Sequence, residues 1–162
     1  MHISNQIADA AKNAAKPIVL IGAEAVTHIR RRVILSYCNR FDTGFLWEHL
    51  IGAEGIQDSA GWLRLKSLNV TAPVILFFNP EDDPAGFEFK SLPDVPAVLG
   101  ECFGFEFYLT DREKSFVISF NHHDMLIGAG KAAEWIRQMK GNETGNHTGP
   151  ESCGGSTSRD NL

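Results

Sequence analysis

Asn121-His122-His123-Asp124 carries the densest reactive chemistry in this chain. Imidazole and carboxylate are the groups that hold zinc or iron, and they also serve acid–base and hydrolytic chemistry. The spacing weakens a metal reading. Adjacent residues of an extended chain project to opposite faces, so His122 and His123 are expected to diverge. A helical His-x-x-x-His pair is absent. The sequence predicts a turn from a strand into a helix, with Asp124 capping the next backbone turn and a histidine bonding the main chain. Such a turn also leaves His122, His123 and Asp124 available to a partner.

Glu81-Asp82-Asp83, beside Asn79, is the second cluster. It lacks the alternating acids and closing glutamate of a calcium loop, so it reads as a solvated loop or a docking surface for a basic protein. Gly22, between an apolar run and a helical segment, stands without the further glycines of a dinucleotide or phosphate loop. Arg30-Arg31-Arg32 spreads charge around a helix and could neutralise acids elsewhere in the chain or grip phosphate. Cys38, Cys102 and Cys153 are sparse and odd in number, and the first two lie in apolar surroundings. They read as structural thiols rather than a disulfide framework or a nucleophile. No Gly-x-Ser-x-Gly elbow occurs.

Charge is distributed unevenly. The 162 residues carry a net −5, but residues 79–113 alone carry −7, with nine acids against two bases. Such a field disfavours nucleic acid and favours a basic protein partner. Asp111 and Glu113 belong to that segment and join Glu81, Asp82, Asp83, His122, His123 and Asp124 as candidate partner-binding residues. The longest apolar runs, 17–23 and 72–78, are too short to span a bilayer, and no basic-then-apolar leader pattern is present. A cytoplasmic, soluble protein with no membrane association and no cofactor is the expectation.

The elements that must position these groups are partly legible. Residues 3–16 read as a helix capped by Ser4, 17–22 as a short buried strand, and 24–37 as a second helix. Residues 41–69 give no clear pattern. The run 72–78 is apolar on both faces and predicts an interior strand with Pro73 at its start. Residues 79–86 read as a loop and 93–102 as a weak helix. A hairpin follows: Phe105, Phe107 and Leu109 share one face, as do Phe116, Ile118 and Phe120, across a charged turn at 111–114. Ala132, Trp135, Ile136 and Met139 form one stripe on a last helix over about 128–140. Residues 141–162 have little to bury and read as a disordered tail. The expected architecture is α+β, a single domain over 1–140 with a mixed or mainly antiparallel sheet of about four to six strands packed against helices.

The segments Phe107-Tyr108-x-Thr110-Asp111, Phe120-Asn121-His122-His123-Asp124-x-Leu126-Ile127-Gly128 and Ala133-Glu134-Trp135-Ile136 together resemble the C-terminal part of small bacterial proteins of the polymorphic-toxin immunity type. The resemblance covers about thirty residues. It implies an α+β domain that binds a toxin by protein–protein contact, and it brings no catalytic residues. The leading expectation is a non-enzymatic bacterial binding protein that uses an acidic surface. Two alternatives stand beside it: a metal-binding or hydrolytic protein centred on His122-His123-Asp124, and a homodimeric structural or accessory protein joined through an open sheet edge.

Overall fold

Seven strands form one open antiparallel sheet in the computed structural model, which describes residues 2–40 and 44–145. In chain order they are β1 (Ile18–Ile21), β2 (Glu54–Gln57), β3 (Val74–Phe77), β4 (Gly86–Phe89), β5 (Phe107–Asp111), β6 (Phe116–Phe120) and β7 (Met125–Gly130). Across the sheet the order is β1-β4-β3-β5-β6-β7-β2, and every neighbouring pair is antiparallel. The α+β architecture is as expected from the sequence, with more strands than its pattern shows.

Alternation explains why the middle strands carry apolar residues on both faces. Val74, Leu76 and Phe78, with Phe107, Leu109, Phe116 and Ile118, face one side. There they meet α1 (Ile3–Asn13), α3 (Asp94–Leu99) and α4 (Lys131–Gly145). Ile75, Phe77, Tyr108 and Val117 face the other, against Val26 and Val33 of α2 (Ala23–Tyr37) and Leu46 of a short 3-10 turn. Period-two alternation thus fills two cores from one sheet. The stripe on α4 is as expected: Ala132, Trp135 and Ile136 are buried, and Met139 packs beside them.

Several boundaries differ for physical reasons. Ser4 does not cap α1 with its side chain; its backbone N–H instead donates to Asp83 Oδ2 at 2.8 Å, a cap supplied from 79 residues away. The strand predicted as buried, β1, lies at the sheet edge, with Val19 60% and Leu20 64% exposed. Residues 125–130 are a strand, so 121–124 joins β6 to β7 as a hairpin instead of opening a helix. Gly130, at φ 63°, turns the chain from β7 into α4. Helix α4 continues through 141–145, which were expected to be disordered; the remainder of that tail, with His147 and Cys153, lies outside the described residues. Among the described residues no helix is long and apolar enough to cross a membrane.

Candidate functional site at one end of the sheet

Strand direction decides which loops meet. Where β3 finishes at Phe77, β4, β5 and β7 begin and β6 finishes. Residues 79–85, 104–106 and 121–124 therefore gather at one end. The opposite end collects Lys16, Lys90, Lys114 and Lys131, which flank the other termini of β1, β4, β6 and β7.

Glu106, the residue before β5, organises the gathered end. One carboxylate oxygen accepts the His122 backbone N–H at 3.0 Å and also meets His122 Nδ1. The other accepts from Asn79 Nδ2 at 3.2 Å. Asn79 Oδ1 accepts from the Tyr108 hydroxyl at 3.1 Å, and that hydroxyl accepts the Leu46 N–H at 3.1 Å. One chain of hydrogen bonds thus ties four separate segments together. Tyr108 is buried, and burial raises its phenol well above its ordinary range, so it stays a neutral donor. Arg30 sits 6.0 Å above the Tyr108 ring and donates to the Gly44 carbonyl at 2.9 Å. Burial pushes Glu106 up, but the bonds from His122 and Asn79 outweigh it and hold the carboxylate below its ordinary value.

The hairpin turn is set by Asn121, not by Asp124. Asn121 Oδ1 accepts the N–H groups of His123 at 3.0 Å and Met125 at 3.2 Å. Asp124 takes φ 56°, the left-handed residue that closes the hairpin connection. The predicted divergence of the two histidines is overturned, because in a turn the side chains no longer alternate. Their ring centroids lie 3.9 Å apart, and both meet the Trp47 ring edge to face, at 6.1 Å for His122 and 5.8 Å for His123. Phe45 completes the cluster 6.4 Å from His122.

A histidine bonded to a carboxylate is two-thirds of a nucleophile–base–acid set. Among the described residues no serine, threonine or cysteine is hydrogen-bonded to His122. Cys38 and Cys102 lie elsewhere in the cores, and burial pushes both thiols up, away from the reactive thiolate. Among the described residues no three His, Cys, Asp or Glu side chains converge to hold a metal ion. The network's evident chemistry is to fix the turn and present its aromatic and acidic groups.

Five of the eight candidate residues come together at this end: Glu81, Asp82, His122, His123 and Asp124, all exposed. The other three do not join them. Asp83 is 3% exposed, with its carboxylate committed to the backbones of Ser4 and Ala85. Asp111 is 7% exposed and organises the β5–β6 turn through the Ser115 N–H at 2.8 Å and the Ser115 hydroxyl. Glu113 lies in that same turn, at the opposite end. Five steps of strand separate Glu106 from Asp111, roughly 17 Å. One acidic segment of the sequence is thus split across the length of the sheet.

No family model, curated protein or solved structure matches this chain.

Sequence reasoning missed the aromatic members. Phe45 and Trp47 sit in the segment without clear periodicity, and Phe103, 81% exposed, precedes the hairpin. Phe103 borders a groove of about 270 Å³ that runs from Trp62 and Leu99 to Asp124. Glu106 was legible only as the polar alternate beside Phe105 and Phe107.

Proposed function

We propose that this chain is a non-enzymatic binding protein that docks a basic protein partner against the acidic end of its sheet, as a toxin-neutralising immunity protein would. The observation that carries the reading is a coincidence of charge and apolar surface. Several of the described acids are matched: Glu54 by Arg137 and Lys140, Glu88 by Arg112, Asp58 by Arg64, and Asp94 by Lys16. At the acidic end, Glu81, Asp82, Glu101 and Asp124 make no salt bridge among the described residues. Asp124 shares a groove with exposed Phe103, and Glu81 shares one with exposed Phe45. Complementary charge speeds encounter, and desolvated aromatic anchors supply the affinity. The resemblance to immunity-type proteins over the β5–α4 region supports the same reading.

The test is retention of a lysine- and arginine-rich protein from cells that express the chain. Wild type is expected to retain it, less so as salt is raised, and the E81K/D82K/D124K variant to lose it. Equal retention by both proteins contradicts the reading. Asp83 is excluded from the variant because its loss uncaps α1.

A further inference from the structure

The two edges of the sheet are built differently. β2 is guarded: Glu54 opens the strand, held by Arg137 Nε and Lys140 Nζ of α4, both at 3.2 Å, and Gln57 closes it. Charged and polar residues on an edge strand discourage pairing with another chain. β1 carries no such guard. Its four residues are Ile-Val-Leu-Ile, it pairs only with β4 among the described residues, and Val19 and Leu20 point to opposite faces at 60% and 64% exposure. Pro17 precedes the strand, and no charge, bulge or proline interrupts it. On the α1 side, Ser4, Asn5, Ala8, Ile18, Leu20 and Phe87 line a groove of about 300 Å³ along the strand.

We propose that β1 pairs antiparallel with β1 of a second copy, joining two sheets into one. A two-fold axis normal to the sheet places one residue opposite its own copy, so the contacting surface must complement itself. The sequence around β1 does. With Leu20 on the axis, Val19 of one chain comes opposite Ile21 of the other, and the pairing occurs twice. From Pro17 to Ala23 every residue is apolar or glycine, so Leu20 and Val19 of each chain leave water together. The free backbone groups of β1 gain partners at the same time.

Sedimentation equilibrium over a dilution series tests this. The wild-type chain is expected at twice its 17.9 kDa mass, and L20K and V19K at the single mass. Because both side chains are exposed, the lysine variants should keep the wild-type far-ultraviolet circular dichroism spectrum while the lost association lowers their melting temperature. Q57K, on the guarded edge, should leave the double mass unchanged. A single mass for wild type at every concentration overturns the proposal. A double mass that survives both β1 variants overturns it as well, since the contact then lies elsewhere, and so does dissociation by Q57K alone.

Discussion

Glu106 does the work that sequence alone would assign to His122 or Asp124. It draws the hairpin backbone, the His122 ring and the Asn79 amide to one carboxylate. Its lowered pKa carries a stability consequence with a definite sign. A carboxylate that folding makes more acidic contributes stability above its unfolded value, and that contribution disappears as pH falls through the folded value. Asp58, Asp83 and Glu88 shift in the same direction, with Arg64 and Arg112 bonding the first and last and backbone N–H groups offsetting burial at Asp83. The protein should therefore lose stability steadily below about pH 4.3, the ordinary glutamate value. The Glu106→Gln variant should show a shallower decline in its urea midpoint between about pH 6 and about pH 3. Parallel curves for the two proteins would remove Glu106 from the network's energetics.

Elements were legible where one face or both had a strict apolar pattern. β3 announced itself by an unbroken apolar run, and β5 and β6 by apolar residues at every second position on either side of a charged turn. β4 and β7 were hidden because glycine interrupts them where another element needs the space. A Cβ at Gly86 would stand 2.8 Å from the Leu76 carbonyl, and one at Gly128 would stand 2.8 Å from Ala132 Cβ. Glycines that signal a turn in sequence here mark close packing within a strand. β1 was misplaced for the opposite reason: an apolar run looks the same at an edge as in a core. Gly130 shows how tightly the last crossover is fixed, since a Cβ there would meet the Ser115 carbonyl at 2.6 Å and the Tyr37 hydroxyl at 2.7 Å. Its φ of 63° adds left-handed strain for any other residue. The Gly130→Ala variant should lose at least about 1–3 kcal/mol of stability in denaturant titration. An unchanged midpoint would mean that α2, β6 and α4 are not held together as described.

Across the whole molecule, antiparallel topology turns a linear charge pattern into a polar one. The −7 segment crosses the sheet repeatedly, so its acids separate into two groups. Glu88 and Asp94 are paired with Arg112 and Lys16, whereas Glu81 and Asp82 at the His122 end are left to the solvent. Half of the candidate surface could be foreseen from composition, because Glu81, Asp82 and the 122–124 turn are polar breaks between apolar runs. The aromatic half could not, because Phe45, Trp47 and Phe103 look like core residues until the fold places them at the rim. Site-specific photo-cross-linking tests the resulting polarity most directly, with a benzophenone amino acid at Phe103 in one variant and at Glu113 in another, in cells that express the chain. The account predicts a discrete cross-link to a basic protein from position 103 and none from 113. A cross-link from 113 in place of 103, or none from 103, would contradict it.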